Sequence, residues 1–351
     1  MNLAQIRERI DQLDRRLLML LQGRMEMALM SKRFKIRIED PGREKELLEN
    51  AKTGSSRLLR PEFIERIFLE ILRESKEWQQ QDYQLAAFQG EHGAFSEQAA
   101  GEWDGNLIPV PCPSFADVFE GTLAGDFDYG IVPVENTLGG SVGEVNRLLI
   151  QTGLKVVGAL DLPIHQCLLA LPGTDHREIR KVYSHPQALA QTRRFLERNK
   201  LEGVPFPDTA GAARMLAEKK PEGSAAIAGR LAADRYQLEI IKENIEDGET
   251  NRTRFLVLAR EPNPEGGEKC SIVFSTEHKA GTLFRVLEVF ARAGVNLTRI
   301  ESMAHEPGNY AFLLDFIGSD QSPSVLSLLH QVEGLSTGFK LLGCYREARK
   351  Q

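Results

Sequence analysis

The sequence has little of what metal, redox and nucleotide enzymes require. Its seven histidines show no HExxH or comparable ligand spacing. Neither GxGxxG after a strand nor GxxxxGK followed by Ser or Thr occurs in the 351 residues. The four cysteines lie far apart with no CxxC pair: Cys112, Cys167, Cys270 and Cys344. We therefore expect no metal site, no cofactor, no dense disulfide framework, and a reducing cytoplasm as the setting.

The sequence also lacks an excess of positive charge and a long apolar run. The formal net charge is −6, so no overall basic field would attract nucleic acid or an anionic membrane. The N-terminal stretch MNLAQIRERIDQLDRRLLMLLQ is apolar at helical spacing but rich in charge, so we expect neither a signal peptide nor a membrane span. Hydrophobic residues at 42% and charged residues at 27% are typical of a soluble globular protein. The length predicts two or three domains.

Residues 1–80 carry the apolar spacing of helices. The stripe of the first helix recurs at intervals of three, four or seven: Ile6, Ile10, Leu13, Leu17, Leu20 and Met27. Asp40 followed by Pro41 predicts the start of a second, shorter helix, and a third runs from about Pro61. Three helices, one of them very long, do not make a compact bundle alone. The long helix therefore predicts a partner.

From about Tyr83, short apolar runs alternate with helical stretches, which predicts an α/β region with a mostly parallel sheet. The runs are YQLAAFQG, YGIVPVEN, KVVGALDL, CLLALPG and SAAIAG. Proline, glycine and charge in AREPNPEGGEKC mark a linker. From Cys270 the order strand, helix, strand, strand, helix, strand predicts a ferredoxin-like sandwich. The predicted domains are residues 1–80, 83–260 and 269–351, with a linker at 261–268.

Basic residues of the first helix indicate an anion site. Arg24 lies in the apolar stripe, where an arginine pairs either with an acidic residue of its own chain or with an anionic ligand. Lys35 lies three turns later on the same face, about 16 Å away, so both side chains can converge on one small dianion. Arg7 lies about 25 Å before Arg24 and reaches that ligand only from an antiparallel second copy.

Residues 249–258 read ETNRTRFLVL, which places a threonine between two arginines ahead of an apolar strand. Regular alternation puts Arg252 and Arg254 on one face and Thr253 on the other, unless a turn or bulge intervenes. Three more stretches place polar residues at strand ends or helix starts: GEHGAFSEQAA, PVENTLGGSV and YSHPQALAQ. Such positions hold ligands in open α/β sheets, although each stretch alone fits an ordinary capped helix better.

Residues 1–80 resemble the all-helical chorismate mutases at eight motif positions: Arg7, Arg24, Lys35, Asp40, Arg43, Glu44, Ser75 and Gln79. The resemblance implies an intertwined dimer that rearranges chorismate to prephenate by holding the substrate in its reactive conformer. Arg7 of a second copy and Arg24 then hold the two carboxylates, and Arg43 and Ser75 assist. Lys35 and Gln79 are the implied catalytic residues, which donate to the ether oxygen. Glu44 and the chain near Asp40 receive the substrate hydroxyl.

Residues 83–260 resemble the prephenate dehydratases along the whole region. The resemblance implies two α/β lobes of the periplasmic-binding-protein type, with the active site in the cleft. The reaction removes carbon dioxide and water from prephenate to give phenylpyruvate, and Thr253 is the implied catalytic residue, donating to the departing hydroxyl. Arg252 is expected at the surface. The implied substrate-binding residues are Glu135, Asn136, Ser184, Gln191 and Arg254.

The C-terminal region resembles an ACT domain, the amino-acid-sensing module found after prephenate dehydratases. Met303 and Ala304 replace the arginine and proline of one family motif. We expect feedback by phenylalanine, with weaker affinity, a changed effector or a purely structural dimerising module as alternatives. The effector-binding residues that match are Gly281, Leu283, Asn296, Glu301 and Ser302.

The sequence is therefore interpreted as a bifunctional enzyme of phenylalanine biosynthesis that acts on chorismate and then on prephenate. It is expected to form a homodimer or a larger homo-oligomer and to bind neither nucleic acid nor membrane. One alternative is a dehydratase whose helical arm only joins subunits, and another is a ligand sensor without catalysis. The sequence leaves open whether prephenate or its transaminated relative arogenate is dehydrated, although a mutase upstream favours prephenate.

Overall fold

The computed structural model of the chain describes residues 2–248, 250–306 and 309–348. It contains two compact units, a helical unit up to Tyr83 and an α/β unit from Gln84 onward. The side chain of Asp40 accepts from the backbone N–H of Arg43, with Pro41 in the first helical position, so the predicted start of the second helix is confirmed. The helices of the first unit are α1 (Leu3–Lys32), α2 (Pro41–Lys52) and α3 (Pro61–Gln80).

The first helix ends earlier than the sequence argument assumed. It stops at Lys32, and Lys35 follows in a turn where its backbone N–H donates to the carbonyl oxygen of Lys32 at 3.3 Å. The expectation that Arg24 and Lys35 share one helix face is therefore wrong, because the chain leaves the helix before Lys35.

The apolar stripe of α1 is exposed. The unit buries Leu29 and Ile64, but eight large apolar residues of α1 keep between 40% and 73% of their surface accessible: Leu3, Ile6, Ile10, Leu13, Leu17, Leu18, Leu20 and Met27. A stripe this long and this exposed agrees with the expectation that α1 packs against a partner, which stays a prediction.

The α/β unit begins with two lobes. The first lobe contains β1 (Leu85–Gln89), α4 (Phe95–Trp103), β2 (Ile108–Cys112), α5 (Phe115–Ala124), β3 (Tyr129–Asn136), β4 (Gly140–Ser141), α6 (Gly143–Gln151) and β5 (Lys155–Pro163). The second lobe contains β6 (Cys167–Ala170), β7 (Lys181–Ser184), α7 (Pro186–Gln191), α8 (Arg193–Arg198), β8 (Glu202–Pro205), α9 (Thr209–Lys219), β9 (Ser224–Ala228), α10 (Arg230–Tyr236) and β10 (Glu239–Lys242). The chain then returns to the first lobe as β11 (Arg252–Ala259).

Both lobes have mixed sheets, so the expectation of a mostly parallel sheet is wrong. In the first lobe β1 runs parallel to β2 and β3, but β11 pairs antiparallel with β3 and β5. In the second lobe β7 runs parallel to β8 and β9, whereas β6 pairs antiparallel with β9 and β10. Apart from the two-residue β4, which pairs antiparallel with β3, the strands that run against the others are β6 and β11, and each is the first strand after a crossing between the lobes. The spacing of apolar residues in the sequence does not predict where the chain crosses between lobes.

The C-terminal domain follows the predicted order. Its elements are β12 (Lys269–Glu277), α11 (Thr282–Arg292), β13 (Leu297–Glu306), β14 (Asn309–Ile317), α12 (Pro323–Leu335) and β15 (Gly338–Ala348). The strand order β13-β14-β12-β15 places both helices against a core that includes Ile272, Phe274, Val286 and Leu328. The end of β15 pairs in parallel with β5, from Arg346 opposite Gly158 onward, so this sheet continues into that of the first lobe.

The cysteines hold one feature that the sequence did not predict. Cys270 and Cys344 face each other on β12 and β15 and form a disulfide. Spacing along the chain could not indicate it, because the two residues meet only through strand pairing. Cys112 and Cys167 are buried thiols, and burial raises their pKa values to about 12 and about 11, so neither supplies a thiolate near neutral pH.

The described residues contain neither a candidate membrane span nor a candidate metal-binding cluster. Across that part of the chain, no helix has both the length and the apolar character needed to cross a bilayer. No cluster of three or more His, Cys, Asp or Glu side chains suited to a metal ion occurs there.

Candidate active sites

The helical unit encloses a cavity of about 220 Å³, called the helical cavity below. It brings together seven of the eight residues predicted for this unit: Arg24, Lys35, Asp40, Arg43, Glu44, Ser75 and Gln79. Lys35 lies at the cavity because the segment between α1 and α2, which also contributes Ile38, runs along it. Arg7 is exposed near the start of α1 and is not among the lining residues. Its proposed role in the site of a second copy stays a prediction.

Arg24 is the half-buried cation of the helical cavity. Its Nη1 donates to Ser75 Oγ at 2.6 Å, and Ser75 Oγ donates to the carbonyl oxygen of Ile71 at 2.6 Å. Burial lowers the pKa of Arg24, and among the described residues no carboxylate pairs with it. Of the two readings of this arginine, the structure therefore favours a site for an anionic ligand over an internal salt bridge.

The helical cavity carries more positive than negative charge. Four basic residues line it, and Lys76 was not identified from the sequence. The Nζ of Lys76 lies 3.1 Å from Glu44 Oε2, and Arg43 pairs with Glu46 at 2.8 Å, outside the set of lining residues. The two acidic lining residues, Asp40 and Glu44, leave a surplus of positive charge that suits a small dianion.

Gln79 has incomplete hydrogen bonding within the chain. It is 3% exposed, and its Nε2 donates to the carbonyl oxygen of Ala28 at 2.7 Å. Its Oε1 is buried without a partner. Because a buried acceptor without a partner costs about 1–3 kcal/mol, a polar group of this kind in a cavity points to a ligand.

A second cavity, of about 420 Å³, lies in the cleft between the two lobes and is called the cleft cavity below. All four polar stretches singled out in the sequence contribute to it, through Ser96, Asn136, Gln191, Thr253 and their neighbours. The full lining consists of Gln89, Gly90, Ala94, Phe95, Ser96, Phe115, Pro133, Asn136, Val142, Ile164, Gln166, His185, Gln187, Ala188, Gln191, Pro207, Asp208, Thr209, Thr253 and Phe255.

Asn136 connects the polar groups of the cleft cavity. It lies opposite Thr253 in the β3–β11 register, and its Nδ2 lies 2.9 Å from Thr253 Oγ1 and from Asn251 Oδ1. Its Oδ1 accepts from Gln191 Nε2 at 3.0 Å and from the N–H of Gly139 at 2.7 Å. Thr253 Oγ1 therefore accepts a hydrogen bond from the protein, which leaves the hydroxyl proton free to donate into the cavity.

The cleft cavity has no lysine or arginine among its lining residues. The donors that it offers to an anion include backbone N–H groups at the start of α4, where Ala94 and Ser96 lie and no side chain caps the helix. The start of α9 also reaches the cavity, but there Asp208 accepts from the N–H of Gly211 at 2.6 Å. The lining therefore offers no arginine to bind a substrate carboxylate.

Three predicted substrate-binding residues lie outside the cleft cavity. Arg254 and Glu135 each neighbour a lining residue along a strand, and alternation turns their side chains to the opposite face. The pairing of β11 with β3 does shift register between Arg254 and Phe255, but this bulge does not bring Arg254 to the cavity. Ser184 is fully buried, and its Oγ donates to the carbonyl oxygen of Ile227 at 2.6 Å. Arg252, expected at the surface, is half-exposed and pairs with Asp161 at 2.6 Å.

Gln166 is a residue of the cleft cavity that the sequence reasoning missed. It is 3% exposed, its Oε1 is buried without a partner, and its side chain makes no hydrogen bond with the described residues. Its position in the short crossing between β5 and β6 was the available signal, since ligands lie at strand ends in open α/β sheets. His185, Gln187 and Asp208 also line the cavity.

The predicted effector residues lie on two parts of the C-terminal domain. Gly281 begins α11 with φ of +85°, a conformation that favours glycine, and Leu283 packs against the domain core. Glu301 and Ser302 lie on β13, the edge strand of the sheet, and Asn296 is exposed just before it. Their role as an effector site stays a prediction.

Family models match three successive segments of the chain. Chorismate mutase type II matches residues 6–80, prephenate dehydratase residues 86–263, and the ACT domain residues 271–334. These segments follow the order that the sequence predicts.

Curated and solved proteins are similar to the chain over different lengths. The bifunctional chorismate mutase/prephenate dehydratase of Pseudomonas aeruginosa is 33% identical over 361 residues, covering 99% of this chain and 98% of that protein. Arogenate dehydratase/prephenate dehydratase 2 of Arabidopsis thaliana is 39% identical over 273 residues, covering 74% of this chain and 72% of that protein. A solved prephenate dehydratase from Arthrobacter aurescens in complex with L-Phe superposes with a TM-score of 0.70 at 30% identity, covering 75% of this chain and 89% of that one.

Proposed function

The chain belongs to the family of bifunctional chorismate mutase/prephenate dehydratases, and we propose that the helical cavity performs the first reaction and the cleft cavity the second. The protein rearranges chorismate to prephenate and converts prephenate to phenylpyruvate, with phenylalanine as effector through its ACT domain. The observation that carries the assignment of the sites is the convergence of seven predicted mutase residues on one cavity and of Asn136, Gln191 and Thr253 on the other.

In the helical cavity, the surplus positive charge holds the chorismate dianion in its compact, reactive conformer. Arg24, oriented by Ser75, binds one carboxylate. Lys35 and the amide of Gln79, whose second N–H otherwise makes only a long 3.5 Å contact with Ser31 Oγ, donate to the ether oxygen, where negative charge develops as the C–O bond breaks. Since an amide donates at any ordinary pH, this reaction does not require acid.

A second copy of the chain completes the helical cavity. We propose that the exposed apolar stripe of α1 packs against the same stripe of another copy, which places Arg7 of that copy over the second carboxylate. The support is the exposure of the stripe and the distance along α1 between Arg7 and Arg24. Larger oligomers are compatible with the same contact.

In the cleft cavity, Thr253 donates to the hydroxyl of prephenate as it departs from the ring. The C–O bond breaks, the ring carboxylate leaves as carbon dioxide, and its bonding electrons complete the aromatic ring. The departing hydroxide takes up a proton and leaves as water. A salt bridge would stabilise the ring carboxylate before it leaves, so the lack of lysine and arginine in the lining favours decarboxylation.

The carboxylate of the pyruvyl side chain needs its own donors. We propose that the uncapped start of α4 and the amide of Gln166 bind it. Asn136 and Gln191 hold Thr253 in place rather than both contacting the substrate, because their amides already bond to one another.

We further propose a cytoplasmic setting, which suits small anionic intermediates; the disulfide between Cys270 and Cys344 is the feature that argues against it.

Two variants test whether the two reactions take place in separate cavities. Arg24→Ala should slow consumption of chorismate by about 10- to 100-fold, because it removes a charged hydrogen bond, and should leave conversion of added prephenate unchanged. Thr253→Ala should slow conversion of added prephenate by about 100-fold or more and should leave consumption of chorismate unchanged. Thr253→Ser keeps the hydroxyl and should retain most of the activity on prephenate. Loss of both activities in either variant would contradict the assignment of separate sites.

A further inference from the structure

Arg254 follows Thr253 on β11, yet its side chain extends into the C-terminal domain. Arg254 is 6% exposed, and its guanidinium makes three hydrogen bonds there. Nη1 donates to Asp315 Oδ2 at 2.5 Å, Nε to Glu347 Oε1 at 2.9 Å and Nη2 to the hydroxyl of Tyr345 at 3.0 Å. Among the described residues, every hydrogen-bond partner of this guanidinium lies on β14 or β15, and Glu135 of β3 is a longer ion-pair contact at 3.8 Å from Nη1.

The partners of Arg254 are themselves fixed. Ser271 donates to Asp315 Oδ1 at 2.5 Å and lies 2.7 Å from the hydroxyl of Tyr345. Lys269 Nζ lies 3.0 Å from both oxygens of Glu347. A buried ion pair tolerates little displacement, because each charge that loses its partner is left without solvent. The network therefore holds the Arg254 side chain in one position.

A second arginine joins the same two domains, but this one belongs to the C-terminal domain and contacts the first lobe. Arg299 on β13 donates through Nη2 to Asn146 Oδ1 of α6 at 2.7 Å, and its Nε lies 3.8 Å from Glu135. Glu135 precedes Asn136 on β3, just as Arg254 follows Thr253 on β11. The C-terminal domain thus contacts the immediate neighbours of both residues that form the 2.9 Å bond at the cleft cavity.

Backbone pairing near Thr253 fixes the position of β11 relative to β3 only in part. The register between β11 and β3 shifts between Arg254 and Phe255, so regular pairing with β3 ends one residue after Thr253, whereas pairing with β5 continues without a shift from Arg252 to Val257. A side chain anchored on the opposite face can fix β11 relative to β3, where the hydrogen-bond ladder is interrupted.

We propose that Arg254 is a positioning residue through which the C-terminal domain holds Thr253 against Asn136, and that it does not bind substrate. The proposal rests on the proposed function of the cleft cavity. It makes dehydration dependent on residues of the C-terminal domain that lie outside that cavity, above all Asp315 and Tyr345.

The test compares Asp315→Asn with Arg252→Gln, a change on the same strand as Arg254 that breaks the half-exposed pair between Arg252 and Asp161 of β5. Prephenate conversion is measured on the full chain, with kcat expressed per folded molecule from the amplitude of thermal unfolding. We expect Asp315→Asn to lower kcat at least fivefold with KM within threefold of the unchanged protein, and Arg252→Gln to change neither. Should Asp315→Asn fail to fold, Tyr345→Phe is judged by the same criterion, since it removes one hydroxyl and leaves the buried ring in place.

Two results would overturn the proposal. A kcat per folded molecule within fivefold of the unchanged protein would make the network merely structural. A rise in KM for Arg254→Lys with kcat retained would make Arg254 a substrate contact. If the unchanged protein does not convert prephenate at all, the function assigned to the cleft cavity fails instead, so the two failures are distinguishable.

Discussion

The role of Thr253 depends on Asn136, the residue that faces it on the neighbouring strand. Threonine is a weak acid, but here its oxygen accepts from the amide of Asn136 at 2.9 Å and its proton remains available to a ligand. The two residues are 117 positions apart and meet through the register of β3 and β11. Their residue types and strand-end positions made both predictable as site residues, whereas their direct contact depended on a long-range register.

Gln166 gives a prediction at the scale of one side chain. Gln166→Met should raise the KM for prephenate about tenfold, equivalent to about 1.4 kcal/mol, because a donor to the substrate is lost. The same change should not lower the free energy of unfolding and should raise it by about 1–3 kcal/mol, because a buried amide without a partner is removed. Steady-state kinetics and denaturant unfolding measure the two effects.

The control for Gln166 is Gln331→Met, at an exposed glutamine of α12. It should change neither quantity. A less stable Gln166→Met protein with an unaltered KM would mean that Gln166 packs the cleft without binding substrate.

At the scale of elements, the helices and strands were largely predictable and their crossings were not. Apolar spacing, the Asp40–Pro41 start and the strand runs correspond to observed elements. The direction of each side chain was harder to predict, because it depends on what packs against each face of its strand. Arg254 was expected in the cleft cavity, but its partners Asp315 and Glu347 lie 61 and 93 residues later, in the C-terminal domain. Ser184 was expected there too, but its strand directs the hydroxyl to β9.

The start of α2 gives a prediction at this scale. Asp40 caps the helix whose first turn carries Arg43 and Glu44. Asp40→Ala should lower the stability of the helical unit by about 1 kcal/mol and the kcat/KM for chorismate about fivefold, since the first turn frays. Asp40→Asn caps equally well and should retain both. Equal loss in the two variants would show that the carboxylate charge, and not the cap, is what the site needs.

At the scale of the whole molecule, the first lobe and the C-terminal domain share one sheet and one buried ionic network. Burial works against the charge of Glu347, but Arg254 and Lys269 outweigh it and hold its pKa below the usual value of 4.5. A carboxylate whose pKa is lowered by folding stabilises the folded state above the unfolded pKa. That stabilisation is lost as the pH falls from about 4.5 through the lower folded pKa.

Acid unfolding checks this consequence. The free energy of unfolding of the α/β unit should decline below about pH 4.5, and Glu347→Gln should make the decline shallower. Glu265→Gln, which removes an exposed partner of Arg346 at 3.6 Å, should leave the slope unchanged. Identical slopes in all three proteins would mean that Glu347 does not contribute to acid sensitivity.

The central claim is that one chain carries two working sites in two units. The most direct measurement incubates the purified protein with chorismate alone, without metal or nicotinamide, and separates the products over time. We predict that prephenate appears transiently and that phenylpyruvate accumulates. Prephenate that accumulates without phenylpyruvate would contradict the role given to the cleft cavity. Chorismate left unchanged, while added prephenate is still consumed, would show that the helical unit is only a scaffold.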